Sequence, residues 1–318
     1  MDGLVGTGWR YGWLELPGGA RLRTGERLPA GRPRGTVVLQ SGRSEFLEKY
    51  AEQAADWAAR GWRVVGWDWR GQGLSTKFLP NPQKGHVPDF DLFLDDTDIA
   101  LAHLLPPGSP EPVVCFAHSM GAHVMTRYVA ERRHPFRALM LSAPMLAIET
   151  GPLPAGFVAG LAWAACALGF RHAYAPGQID YREEAHHFEG NVLTSDPRRF
   201  RVYIEAYRND PRLILGGVTC GWLDAACRSM ARLRRTPLDR VDIPVLVLSA
   251  GGDRVVRSAV HGDLARRLPR AVHKVYAGAE HELMMERDEI RDRVWADLDA
   301  FLAEVLPEAA ASAGAGAG

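Results

Sequence analysis

The stretch Val113-Val114-Cys115-Phe116-Ala117-His118-Ser119-Met120-Gly121-Ala122-His123 constrains this chain more than any other. It reads as a buried strand over 113–116, a tight turn holding Ser119, and a helix through Val124, Met125, Tyr128 and Val129. A serine squeezed between strand and helix needs small residues two positions away on each side, because a larger Cβ would clash as the chain reverses. Ala117 and Gly121 supply them. The turn lifts the hydroxyl out of the sheet and sets it over a helix N-terminus, where unpaired N–H groups favour negative charge. Small-x-Ser-x-Gly is a loose pattern, and it recurs at Ala310-Ala311-Ser312-Ala313-Gly314. Only Ser119 follows a β-branched apolar run and opens a helical pattern. The alternative reading of Ser119 is an ordinary buried turn serine.

The rest of the chain decides between them. Tyr11–Leu16 and Ala20–Arg23, separated by Pro17-Gly18-Gly19, read as a hairpin at the antiparallel edge of a larger sheet. Apolar runs at 35–40, 62–67, 138–142, 244–249 and 271–276 read as further strands. Helical spacing fills 46–60, 89–105, 258–268 and 287–305. That alternation predicts an α/β fold, a mostly parallel central sheet with helices on both faces and its chemistry beyond the carboxyl ends of the strands. Pro144 to Thr236 breaks it, with Pro/Gly-rich edges, helical stretches and no convincing buried strand. The expected organisation is a first core part over 1–143, a helical lid over 144–236, a second core part over 237–306 and a disordered Ala/Gly/Ser tail over 307–318. With 318 residues, 47% of them hydrophobic, the chain can bury one large core and carry such an insertion.

A strand–serine–helix elbow in this setting resembles that of the α/β-hydrolases, with alanine in place of the usual first glycine. An attacking serine needs a base, and the base an orienting carboxylate; in this fold they follow in the order serine, acid, histidine. Asp253 follows the strand 244–249 in Gly251-Gly252-Asp253-Arg254, and His281 follows the strand 271–276 in Gly278-Ala279-Glu280-His281. Their competing readings are a helix cap for Asp253 and an exposed loop histidine for His281. His118 and His123 lie too close to Ser119 in sequence to swing onto its hydroxyl, and His273 lies within a strand. Glu280 and Asp242 are weaker rivals for the acid. The catalytic residues expected are Ser119, Asp253 and His281. The oxyanion donors expected are the backbone N–H groups of Met120 and of Arg43, the latter in the loop after strand 35–40 where Gly42 permits close approach. The Arg43 guanidinium has two readings: a structural pair with Glu45, which is favoured, or contact with a substrate phosphate.

Together these pieces resemble the lysophospholipase L2 and monoacylglycerol-lipase branch of the serine α/β-hydrolases. The matching residues are Gly42-Arg43-Ser44-Glu45, Asp68-Trp69-Arg70-Gly71-Gln72-Gly73-Leu74-Ser75, His118-Ser119-Met120-Gly121, Gly252-Asp253-Arg254-Val255-Val256 and Gly278 to His281. The first loop looks more like the bacterial lysophospholipase version, Ser41 standing where monoacylglycerol lipases have a histidine. The resemblance implies a serine esterase acting on monoacyl lipids, with no metal or organic cofactor. A small-ester carboxylesterase, thioesterase or peptidase on the same residues is the alternative, and a non-catalytic binding protein of the same fold a third. Aspartate-elbow chemistry is disfavoured by Ser119.

Composition sets the remaining expectations. Lys plus Arg and Asp plus Glu each number 38, so no net field attracts nucleic acid. Four cysteines without metal-type spacing suit reduced thiols, and the N-terminus shows no signal-peptide pattern, so a cytoplasmic protein, or one peripheral to a membrane, is expected. Leu153 to Phe170 is uncharged but rich in Ala and Gly and broken by Pro154. It predicts a lid helix over the site, able to touch a lipid surface transiently, rather than a membrane span. Arg198, Arg199, Arg201, Arg232, Arg234 and Arg235 in the insertion are interspersed with acids and read as a mixed-charge face.

Overall fold

Side chains of the central strands alternate between two buried faces, so nearly every position is apolar and the strands can pair in parallel. A computed structural model describes residues 7–307 apart from 106, 107, 109 and 110; of the expected tail, only Pro307 lies within the described residues. Eight strands form one sheet: β1 (Arg10–Glu15), β2 (Arg21–Arg27), β3 (Gly35–Gln40), β4 (Trp62–Trp67), β5 (Val113–His118), β6 (Phe136–Ser142), β7 (Val245–Ala250) and β8 (Ala271–Tyr276). Their order is β1-β2-β4-β3-β5-β6-β7-β8. The β1–β2 and β2–β4 pairs are antiparallel and all others parallel, as the hairpin and the strand–helix alternation predict.

Strand periodicity divides the core. Val114 and Phe116 of β5 pack on one face with Trp57, Trp295, Leu298 and Phe301; Cys115 and Ala117 pack on the other with Phe93, Leu94, Met125 and Leu264. The first face is covered by α1 (Ala51–Ala59) and the C-terminal helix, the second by α2 (Asp91–Leu104), α3 (Ser119–Glu131) and a helix after β7. Aromatic rings meet edge-on at the centre of the first face: Trp57 lies 4.7 Å from Trp295, 6.3 Å from Trp62 and 6.4 Å from Phe116, centroid to centroid.

Between β6 and β7 the chain forms α4 (Ala155–Ala167), α5 (Pro197–Asn209) and α6 (Cys220–Arg235), with no strand of the sheet among the described residues. Asp196 caps α5 by accepting from the N–H groups of Arg198 and Arg199, and Thr219 caps α6 through Trp222 N–H. Trp222, Ala226, Met230 and Leu233 of α6 join the main core. Helix α4 does not: only Ala162 is buried, while its Phe157 and Trp163 are 58% and 64% exposed. Among the described residues no helix is long and apolar enough to cross a membrane. The arginines Arg199 and Arg232 bind Glu52 with Asp288, and Asp91 with Glu131, respectively. Helices α7 (His261–Arg267) and α8 (Asp288–Val305) complete the chain.

Two helix starts differ from the sequence reading. The helical spacing over 46–60 becomes a 3₁₀ turn at Leu47–Tyr50 followed by α1, because Phe46 is extended (φ −156°, ψ 164°) and Leu47 N–H is taken by Asp68 Oδ1 at 3.0 Å. The run at 258–268 likewise opens with a 3₁₀ turn over Ser258–Val260. In the first case a tertiary hydrogen bond outcompetes the helical one. Truncating Trp57, which is fully buried, should cost about 3–5 kcal/mol; urea unfolding of Trp57→Ala against wild type measures it.

Candidate active site

Strand β5 ends at His118, and the chain turns through Ser119 at φ 52°, a left-handed conformation that costs a non-glycine residue about 1–3 kcal/mol. The packing that enforces it is visible at Gly121, where a Cβ would strike the carbonyl oxygen of Ser41 and lie 3.1 Å from that of Gln40. Ala117, fully buried, is accommodated.

Loops after β7 and β8 bring the other two residues to this turn. Gly251 N–H bonds to the Tyr276 carbonyl at 2.9 Å and Gly252 N–H to that of Ala279 at 2.8 Å, so the two loops are tied together. His281 Nε2 lies 2.9 Å from Ser119 Oγ, and its Nδ1 lies 2.7 Å from Asp253 Oδ2. All three side chains are nearly or fully buried. Asp253 is not a helix cap: its Oδ1 accepts the N–H groups of Val255 and Val256, each at 2.9 Å, which fixes the carboxylate plane. Burial pushes the Asp253 carboxyl up, but the hydrogen bond and charge of His281 and the two backbone donors outweigh it and hold it below its usual range. An ionised Asp253 accepts from Nδ1–H, which leaves Nε2 free to accept the Ser119 proton. A hydroxyl so placed can attack a carbonyl as its proton passes to imidazole.

The other histidines near the elbow stay neutral. The His118 ring lies 4.7 Å from that of His281, tilted by 55°, and burial pushes it down to about 4; His123, bonded to Ser229 Oγ at 2.7 Å, is pushed down to about 3. Glu280, the rival acid, pairs with Arg254 at 3.1 Å.

The loop after β3 lies against the elbow: a Cβ on Gly42 would sit 3.1 Å from Ser119 Cβ. The expected pair between Arg43 and Glu45 does not form. Glu45 instead accepts Gly42 N–H, Lys49 Nζ at 2.8 Å and the Tyr50 hydroxyl at 2.5 Å. Lys49 also donates to Glu282 at 2.6 Å, so one buried ammonium bridges two buried carboxylates beside His281. Glu45, His118 and Glu282 offer ligand atoms within 4.8 Å of one another, but the ammonium between the carboxylates makes this an ion-pair network. Burial pushes Glu45 up, yet the charge of Lys49, with the hydrogen bonds from Lys49 and Tyr50, brings it down to about 2. Burial, with Glu45 adding to it, leaves Glu282 raised. Sequence reasoning missed this network, although the i,i+4 spacing of Glu45 and Lys49 was a signal for one of its pairs.

Two cavities meet at Ser119 and Arg43. One, about 830 Å³, is walled mainly by apolar side chains such as Met145, Ile148, Leu161, Phe170 and Leu223 from α4, α6 and neighbouring loops. The other, about 410 Å³, is more polar and faces Tyr181, Tyr203 and Tyr207.

This fold and site are those of a serine hydrolase. The family model described as serine aminopeptidase, S33, matches residues 31–288. Lysophospholipase L2 of Escherichia coli (strain K12) is 34% identical over 266 residues, 80% of this chain and 76% of that protein. Probable lysophospholipase L2 of Haemophilus influenzae is 30% identical over 275 residues, 86% of this chain and 85% of that protein. Among solved structures, a soluble variant of monoglyceride lipase from Saccharomyces cerevisiae superposes with a TM-score of 0.74 at 18% identity, covering 96% of this chain and 98% of that one, which shows the shared fold. The chain belongs to this family of serine hydrolases with the α/β-hydrolase fold.

Removing the bridging ammonium tests the network. Lys49→Met should cost about 3–5 kcal/mol at neutral pH, because two buried carboxylates lose their partner. Both carboxyls then have folded pKa values above their unfolded ones, so their contribution is present at low pH and lost as pH rises. Urea midpoints should therefore show the gap to wild type narrowing from pH 8 toward pH 5.

Proposed function

We propose that this chain is a serine esterase that hydrolyses carboxylic esters of monoacyl lipids, lysophospholipids or monoacylglycerols, through an acyl-enzyme on Ser119. The observation that carries the reading is a serine hydroxyl, hydrogen-bonded to a histidine–aspartate pair, opening at the end of an apolar cavity of about 830 Å³. The names of the E. coli and H. influenzae relatives, and that of the yeast lipase, support a lipid ester.

In this mechanism Ser119 attacks the ester carbonyl as His281 takes its proton, and Asp253 holds the imidazole and stabilises its charged form. The oxyanion is received by the N–H groups of Met120, at the start of α3, and of Arg43. Because Glu45 engages the N–H of Gly42, the neighbouring Arg43 N–H is the one left to serve. The histidine then protonates the leaving alcohol, and water activated by the same imidazole releases the fatty acid. These steps call on side chains and backbone donors alone. The helices over 144–236 act as a lid that shelters the acyl chain, and the exposed apolar side chains of α4 suit transient contact with a lipid surface.

A fluorophosphonate probe should label wild type and not Ser119→Ala. Asp253→Asn and His281→Ala should each lower turnover by roughly 10³-fold or more with unchanged thermal unfolding; near-normal activity in either would remove that residue from the mechanism. With p-nitrophenyl esters, rates should rise from acetate toward medium and long acyl chains. A maximum at acetate, with no hydrolysis of any lysophospholipid or monoacylglycerol, would favour a short-chain esterase instead.

A further inference from the structure

Arg43 lines both cavities that meet at Ser119. Its guanidinium has five N–H donors and spends them sparingly. Nη1 donates to Ser44 Oγ at 2.6 Å and to the Gly216 carbonyl at 3.1 Å, Nη2 reaches the same carbonyl at 3.4 Å, and the Trp222 ring lies 5.7 Å away. Among the described residues no carboxylate pairs with it. The acids on the wall of the polar cavity are engaged elsewhere: Glu45 and Glu282 share Lys49, and Asp180 accepts from Tyr174 and from Asn81 at 3.0 Å. Burial pushes the Arg43 pKa down, though a guanidinium keeps its charge at any ordinary pH. Arg43 is half-buried at the mouth of both cavities and has no carboxylate partner, so its charge is available to an anion that arrives with whatever fills the cavity.

An acyl chain in the apolar cavity, with its carbonyl at Ser119, leaves the alcohol half of the ester to project into the polar one. In a monoacylglycerol that half is neutral glycerol. In a lysophospholipid it ends in a phosphodiester, whose two unesterified oxygens match the planar fork of an arginine.

We infer that Arg43 is a specificity-determining residue which binds the phosphodiester of a lysophospholipid's leaving alcohol. This rests on the monoacyl-lipid reading above and narrows it to phosphate-bearing substrates over neutral glycerides. The bond changes are those already described. The ester C–O bond breaks, the glycerophosphodiester oxygen takes the proton held on His281, and water releases the fatty acid.

The test compares kcat/KM of the full chain on lysophosphatidylethanolamine and on a monoacylglycerol of the same acyl chain, each in the same nonionic micelles. Wild type should prefer the phospholipid. Arg43→Met, which keeps the backbone N–H, should lower the phospholipid-to-glyceride ratio roughly 10- to 100-fold, and Arg43→Lys should recover part of it. Independently of any variant, glycerophosphoethanolamine should inhibit wild-type hydrolysis of a p-nitrophenyl ester competitively, while glycerol at equal concentration should not. An equal fall on both lipids in Arg43→Met, an unchanged ratio, or no inhibition by glycerophosphoethanolamine overturns the assignment while leaving the esterase intact. A wild type that the fluorophosphonate labels but that hydrolyses neither lipid overturns the monoacyl-lipid reading, and this inference with it.

Discussion

The structure depends on one close approach of backbone to backbone. The turn at Gly121 lies against the Ser41 carbonyl so tightly that a Cβ has no room, and a Cβ on Gly42 would lie 3.1 Å from that of Ser119. That contact is available because β3 and β5 are adjacent and parallel, with Gln40 level with Ala117. Both strands therefore deliver their following loops to the same rim of the sheet. The positive φ of Ser119 is tolerated because packing on both sides leaves the chain no other path. A serine held this way is aimed before any ligand arrives, so no binding interaction has to be used in ordering it.

Electrostatics beside the site follow a different logic from the aromatic core behind it. Trp57, Trp62, Trp295 and Phe116 fill space without polar demands beyond their indole nitrogens. Lys49, Glu45 and Glu282 bury three charges, an arrangement weakly stabilising at best compared with apolar side chains of similar size. What it supplies is orientation. Glu45 holds Gly42 N–H, and Glu282 adjoins His281 in the chain, so one ammonium links the loop after β3 to the loop after β8. A second buried set, Arg23 with Glu48 and Asp68, ties β2 to the 3₁₀ turn before α1 and to the residue following β4. The loops of this rim are cross-braced by ion pairs.

Much of this was legible in the sequence, for reasons that differ by residue. Ser119 stands out because its constraint is local: small residues on both sides, an apolar run before and a helical period after. Asp253 and His281 are legible as positions one loop past apolar strands, and the sheet brings both to Ser119. Strands were easier to place than helix starts, since a strand buried on both faces announces itself in composition, whereas Asp68 capturing Leu47 N–H is a contact between distant segments. The Lys49 network was hidden for a related reason. A Glu and a Lys four residues apart ordinarily describe a solvated helix face, and only the fold reveals that this pair faces inward toward Glu282. The expected Arg43–Glu45 pair fails for the same reason, because Glu45 has partners that proximity along the chain does not disclose.

Helix α4 has a consequence for how such a protein can change over evolutionary time. With Ala162 alone buried among its thirteen residues, most substitutions along it touch no core and cost the fold within about 0.5 kcal/mol. Its outward face can thus drift, acquiring or shedding bulky apolar groups, while the elbow and its partners stay fixed by packing. Change along this outer face and preservation of the elbow are consequently assigned to separate stretches of the chain, and selection can act on one without disturbing the other.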